Sequence, residues 1–173
     1  EFIDHMGMPL REGLSFVHFA LVGEGLRDRT KTGASGMMIS AFDIARTMAL
    51  GADWVNMARA FMFAVGCLQS QTCHTDRCPT GVATQDPNRQ KGLDPLDKSE
   101  RVYHFQKNTV KALAEILAAS GLDHPEELGP EHIIRRVSAQ MALPLSKVYP
   151  QLTPGSLLRG EQPEHPSLRE YWQ

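Results

Sequence analysis

Residues 29–66 read RTKTGASGMMISAFDIARTMALGADWVNMARAFMFAVG. The threonine-rich start, Arg29 to Gly33, predicts a short strand, and Gly33-Ala34-Ser35-Gly36 predicts a tight loop after it. Phe42 to Leu50 has helical spacing and meets a stop at Gly51. Trp54-Val55-Asn56-Met57 predicts a second strand, and Arg59 to Gly66 a further helix. Upstream, Pro9 suits a first helical turn. Leu14, Val17, Ala20, Leu21 and Leu26 then recur at helical spacing, predicting a helix from about Pro9 to Leu26. The order helix, strand, loop, helix, strand, helix is the rhythm of a βα repeat with a parallel sheet. Two strands cannot close such a sheet, and parallel strands need both faces covered. A chain that opens on Glu1 and offers two strands therefore reads as part of a longer one.

Outward from this core, residues 67–95 are loop-like and hold every cysteine. Asp97 to about Ser120 predicts a long helix, with Asp97 and Glu100 as a capping-box variant. Val102, Phe105, Thr109, Leu113, Ile116 and Leu117 form its apolar face. A short helix is expected at about Glu131 to Val137. Prolines at 144, 150, 154, 163 and 166 predict an extended tail. The expected division is 1–95, 96–143 and 144–173.

Composition sets broad limits. The 173 residues suffice for a sizeable core. A net charge of -2, with acids and bases mixed, gives no footprint for nucleic acid or an anionic membrane. The N-terminus lacks a basic start and an apolar run, and the Met57 to Leu68 stretch is too short to span a bilayer. The expectation is a cytoplasmic protein.

Cys67, Cys73 and Cys78 follow C-x5-C-x4-C, with Pro79 after the last. Thiolates are the soft ligands that iron–sulfur clusters require, and three on one loop can wrap one face of a small cluster. Two other readings stay open: buried apolar thiols, and a zinc site with His74 as fourth ligand. Zinc is disfavoured because His74 directly follows Cys73. A disulfide framework conflicts with the odd count.

Gly66-Cys67 through Cys73-His74 and Cys78, then Thr80-Gly81-Val82-Ala83-Thr84-Gln85-Asp86, closely resembles the cluster loop of the glutamate synthase family. The resemblance runs from about Gly7 to Gly121. It implies the α/β end of a (β/α)8 barrel, strands 7 and 8, with a cysteine loop and a C-terminal helical extension. It implies that Cys67, Cys73 and Cys78 hold a [3Fe-4S] cluster. His74 and Arg77, inside the loop, read as hydrogen-bond donors to cluster sulfur and at least equally as solvated or packing residues. The resemblance also implies an FMN cofactor and formation of L-glutamate from 2-oxoglutarate and ammonia, with electrons from a donor protein or subunit. Nothing in the chain resembles a glutaminase, so ammonia is expected from a separate subunit or from solution. The alternatives are a related flavin oxidoreductase acting on another amine or imine, such as an N-methylated glutamate, and a non-catalytic metal-binding module.

In FMN-binding barrels the flavin phosphate sits at the loops after strands 7 and 8. Here those loops are Ser35-Gly36-Met37 and Ala58-Arg59, where the family usually has Asp-Gly-Gly and often Gly-Thr-Gly. Backbone donors survive such changes, and Arg59 adds a charge for phosphate. Lys31 reads equally as a phosphate or ring contact and as a solvated strand residue. Met37, Met38, Met48, Met57 and Met62 read as core fillers.

Overall fold

The computed structural model describes residues 6–171. Helix α1 (Leu10–Gly23) follows Pro9, and a 3-10 turn (Arg27–Arg29) leads into strand β1 (Gly33–Ser35). Helix α2 (Ala41–Ala49) starts at a reciprocal cap. The Ser40 hydroxyl accepts the Asp43 N–H at 3.2 Å, and the Asp43 carboxylate accepts the Ser40 N–H at 3.0 Å. Strand β2 (Trp54–Asn56) and helix α3 (Ala58–Val65) complete the unit.

Strands β1 and β2 pair in parallel, with Gly33 opposite Trp54, Ala34 opposite Val55 and Ser35 opposite Asn56. Parallel pairing requires a crossover, which α2 supplies. A β-carbon on Gly33 would lie 2.5 Å from the Trp54 ring, so this glycine lets the indole lie across the neighbouring strand. Beyond the loop, short α4 (Pro87–Gln90) and long α5 (Pro95–Ala119) follow. Helix α5 crosses α2 and α3 and buries Thr109 and Leu117. Phe105 meets Phe61 of α3 edge-to-face at 5.2 Å. The face predicted for this helix is the face that is covered.

The extension is part of the same core. Strands β3 (Ile134–Arg136) and β4 (Ala142–Pro144) form an antiparallel hairpin, and α6 (Leu145–Val148) and α7 (Pro166–Arg169) follow. Leu145 and Tyr149 pack with Leu14, Ala45, Leu50 and Leu117 in one cluster. Leu168 has no exposed surface, α7 rests on α1, and Phe16 meets Tyr171 at 5.1 Å. No helix among the described residues is long and apolar enough to cross a membrane.

Four expectations need correction. The capping box expected at Asp97 and Glu100 is not the cap of α5, which starts earlier at Asp94, whose carboxylate accepts the Leu96 N–H at 2.9 Å. The strand expected at 29–33 lies at Gly33–Ser35, and the expected loop Gly33–Gly36 contains it. Arg27–Arg29 is instead a 3-10 turn whose Arg27 guanidinium donates to the Thr30 and Gly51 carbonyls at 3.0 and 3.1 Å. The helix expected at 131–137 is a 3-10 turn (Pro130–His132) followed by β3, because the Leu145 N–H returns to the Ile133 carbonyl and closes a hairpin. The tail is not extended: Pro163 and Leu168 are fully buried, and the Gly155 N–H bonds the Val22 carbonyl at 3.0 Å.

The N-terminal ends of β1 and β2 are locked by a polar cluster. Asp53, just before β2, accepts the Thr32 N–H at 2.6 Å and pairs with Arg27 at 2.9 Å and Lys31 at 3.4 Å. Arg27 Nε donates to His18 Nδ1 at 3.0 Å. That bond requires a neutral imidazole. Burial, then the Arg27 charge, lower the His18 pKa to about 4, against the opposing pull of Asp53.

The consequence is an acid-sensitive fold. Above pH 6.5 His18 is neutral folded and unfolded, so its contribution is fully present. Between 6.5 and about 4 only the unfolded chain takes up the proton, and stability is lost. The full shift corresponds to about 3 kcal/mol at about 1.4 per pH unit. Solvent screening of a half-buried ring reduces this to about 1–2 kcal/mol. Urea midpoints of the full-length protein at pH 7.5 and 4.5 should therefore fall further in wild type than in His18→Gln; equal falls would remove His18 as the cause.

Candidate cofactor cavity and cysteine loop

The C-terminal ends of β1 and β2 open onto a cavity of about 430 Å³, within the range of small-molecule sites. Ser35, Gly36 and Met37 line it from the loop after β1, and Ala58 and Arg59 from the start of α3. The five residues singled out from sequence for flavin phosphate thus share one cavity. Cys67 and Cys73 line the same cavity; Cys78 does not.

Local chemistry explains each wall. Met38 is buried at 3% exposure and anchors the first loop, while Met37 projects into solvent at 59%. Met62 is also exposed, so Met37 and Met62 are not the core fillers their type suggested. Helix α3 begins at Met57 with no side-chain cap. Its first N–H groups therefore have no side-chain acceptor, at the dipole end that favours an anion. Gly66, in the left-handed conformation at φ +119°, ends α3, and the Cys67 N–H returns to the Met62 carbonyl at 2.9 Å. That turn places Cys67 at the cavity edge.

Lys31 is not at this end. It precedes β1, and its ammonium lies beside Asp53 at the opposite end of the strands. The flavin-contact reading of Lys31 is therefore wrong.

Backbone strain gathers at the same place. Among the described residues, the non-glycine positions with positive φ are Met37, Gln69, Gln71 and Asp76. The first three line the cavity, and Asp76 lies between Cys73 and Cys78. Such conformations cost about 1 kcal/mol or more each and persist where surrounding structure enforces them. Sequence reasoning missed Gln69 and Gln71, because nothing in their type signals a left-handed backbone.

The run after the cysteines braces the loop. The Thr84 hydroxyl donates to the Asp76 carbonyl at 2.6 Å, the Gln85 N–H donates to the Asp76 carboxylate, and the Gln90 side chain donates to the Thr84 carbonyl at 2.8 Å. Gly81 sits at φ +79° with the Arg89 carbonyl oxygen 2.3 Å from where a β-carbon would stand. The bracing holds residues 80–83 around Cys78, which is buried. The Thr80 hydroxyl lies 3.5 Å from its sulfur. That contact, with the backbone N–H groups of Ala83, Thr80 and Val82, brings its pKa down to about 7 against the opposing effect of burial. A thiolate is thus accessible at neutral pH, which suits a soft-metal ligand. The Gln69 N–H lies 3.4 Å from the Cys67 sulfur. Cys73 is exposed, as are His74 and Arg77.

Among the described residues no three histidine, cysteine or acidic side chains converge on a point that would hold a single metal ion. A multi-iron cluster asks for less, because each thiolate binds its own iron. The donor set, one loop of three cysteines with N–H groups aimed at sulfur, fits such a cluster in its chemistry.

A family model described as the conserved region in glutamate synthase matches residues 1–123. The chain belongs to the glutamate synthase family. It is similar to the glutamate synthase large subunit-like protein YerD of Bacillus subtilis, 40% identical over 136 residues, covering 79% of this chain and 26% of that protein. It is also similar to the archaeal glutamate synthase [NADPH] of Methanocaldococcus jannaschii, 37% identical over 127 residues, covering 73% and 25%. The glutamate synthase [NADPH] large chain of Bacillus subtilis is 31% identical over 126 residues, covering 73% and 8%. The chain therefore spans about a quarter of the length of the first two glutamate synthase relatives. The matched region contains the βα unit, the cavity and the whole cysteine loop.

Proposed function

We propose that this chain supplies the flavin-phosphate cradle and the cluster loop of a glutamate synthase-type oxidoreductase. The larger protein would form L-glutamate from 2-oxoglutarate and ammonia. The observation that carries the reading is the single cavity shared by Ser35, Gly36, Met37, Ala58, Arg59, Cys67 and Cys73. In this reading β1 and β2 are strands 7 and 8 of a (β/α)8 barrel, whose C-terminal face is where such barrels carry their sites. The rest of the barrel and the 2-oxoglutarate contacts would come from chain outside these residues.

Within that arrangement, the residues at hand have definite tasks. Backbone N–H groups at Ser35 to Met37 and at the uncapped start of α3 would hold a phosphate, and Arg59 would add a charge-assisted hydrogen bond. Cys67, Cys73 and Cys78 would hold a [3Fe-4S] cluster, with Cys78 shielded from water. When bound, FMN supplies hydride chemistry and the cluster supplies the one-electron steps that feed it. Having both sites on one short segment keeps the electron path short. The electrons would come from a donor protein or subunit, with NADPH as their source by analogy with the relatives' names. The ammonia would come from a separate glutaminase subunit or from solution, and the protein would work in the cytoplasm.

Anaerobic purification of the full-length protein, followed by metal, sulfide and flavin analysis, tests this directly. About three irons, four sulfides and one FMN per chain are expected, together with glutamate formation from ammonia and 2-oxoglutarate. Zinc or no metal, without flavin, would overturn the proposal. Arg59→Ala should weaken FMN retention by about tenfold, the scale of one lost charge-assisted contact. Released-flavin fluorescence after dialysis measures it, and unchanged retention would remove Arg59 from the cradle.

A further inference from the structure

A second cavity, of about 220 Å³, lies where the β3–β4 hairpin meets α1 and α2. It shares no residue with the flavin cavity, while Arg11 and Arg46 also line a neighbouring cavity with Ser35, Gly36, Met37 and Arg59. Arg11 of α1, Arg46 of α2, Arg135 and Arg136 of β3, and Tyr149 line it, over an apolar floor that includes Leu145. Arginines from three separate elements, Arg11, Arg46 and Arg135, meet at one small cavity in a chain whose net charge is -2.

The carboxylates within reach do not balance them. Asp43 pairs with Arg46, and the Tyr149 hydroxyl donates to Glu12 at 3.3 Å while accepting from Arg135 at 3.1 Å. Among the described residues Arg11, Arg135 and Arg136 have no carboxylate partner. Arg46 adds a sharper observation. Its Nε is buried and has no hydrogen-bond acceptor. A buried donor left unpaired is costly, so the protein around Arg46 does not fully satisfy its guanidinium. Guanidinium forks match the paired oxygens of carboxylate and phosphate, and a site dense in them is built for that geometry rather than for charge alone.

We propose that this cavity binds a small multivalent oxyanion, held by Arg11, Arg46 and Arg135 with Tyr149 as an additional hydrogen-bonding group. Its volume suits a phosphate or a short dicarboxylate and is too small for a nucleotide. The site joins the hairpin of the extension to two helices of the βα unit, so an occupied cavity ties those parts together. Helix α2 begins just after the Ser35–Met37 loop, which puts Arg46 on the element that follows the flavin cradle.

Calorimetric titration of the full-length, flavin-loaded protein at fixed ionic strength tests this, with inorganic phosphate in one arm and succinate in the other. One saturable site is expected for at least one anion, and the responding arm identifies the oxyanion class. Arg135→Ala and Arg11→Gln should each weaken binding by about tenfold, as for one lost charge-assisted contact. Arg135 is exposed, so its replacement leaves packing intact, and Arg135→Lys should restore less affinity than its retained charge would suggest. Absence of saturable binding in both arms would overturn the proposal. So would binding that both the Arg135→Ala and Arg11→Gln variants leave unchanged.

Discussion

On the proposed reading, Cys78→Ser in the full-length protein is expected to remove the cluster iron, from about three atoms per chain to below about one, and to cut the proposed glutamate formation by about a hundredfold or more. The substitution changes one atom and little volume, so the loop keeps its bracing by Thr84 and Asp76. What it removes is the soft donor. A serine hydroxyl is a hard, neutral ligand at neutral pH, whereas Cys78 sits among N–H groups that bring its thiol down to about 7. Burial of this position also denies water an easy route to take the vacated place. Iron analysis and the visible spectrum read the loss, while bound flavin serves as the internal control for a folded site. Full iron content in Cys78→Ser would show that this cysteine is a packed thiol and not a ligand. Cys73, exposed at the cavity mouth, should show the same loss with less effect on the surrounding fold.

The second large effect is on stability. Gly51→Ala is expected to cost about 3–4 kcal/mol, a substantial part of the 5–15 typical of a domain. Two causes add. Gly51 follows the end of α2 at φ +108°, and its N–H returns to the Met48 carbonyl while the Ala52 N–H returns to Thr47. An L side chain resists that conformation by about 1–2 kcal/mol. The new methyl would also stand 2.2 Å from the His18 ring, forcing apart the ring that accepts from Arg27, at an overpacking cost of about 1–3 kcal/mol. A fall in Tm of roughly 10 °C should follow. A fall below about 2 °C would mean that the His18 cluster yields freely and is not a lock.

What could be read beforehand follows from where the information lies. The helices now seen at Leu10–Gly23, Ala41–Ala49, Ala58–Val65 and Pro95–Ala119 announced themselves because their apolar period and the glycines at or just past their ends are local, whereas the cap of the last is Asp94 and not the expected Asp97. β1 was displaced because Thr30 and Thr32 carry strand propensity while the pairing is decided by Trp54, 21 residues away and opposite Gly33. The hairpin at 134–144 was missed for the same reason: its register is made by the chain returning to Ile133, which no single window displays. At the candidate site, the spacing of Cys67, Cys73 and Cys78 was legible, as were the two loops that meet at the cavity. The cluster of His18, Arg27 and Asp53 was not. Its members come from three separate segments, and none has a neighbour that hints at the others. The same holds for the guanidiniums of Arg11, Arg46 and Arg135, gathered by the fold alone.

The packing of Leu168 and Tyr171 onto α1 also has a meaning in time. About 150 residues separate Leu14 and Phe16 from the segment that covers their helix. At ribosomal rates of about 5–20 residues per second, roughly 8–30 seconds pass between the two. During that interval α1 is made but uncovered, and Gly23 waits for Leu157, which stands 2.6 Å from its would-be β-carbon. The β1–β2 pair itself, joined by one crossover, can form far sooner, although α2 also waits for Leu145 and Tyr149. Newly made chains should therefore pass through a stage with a formed strand pair and an exposed first helix, the stage at which a chaperone would find its grip.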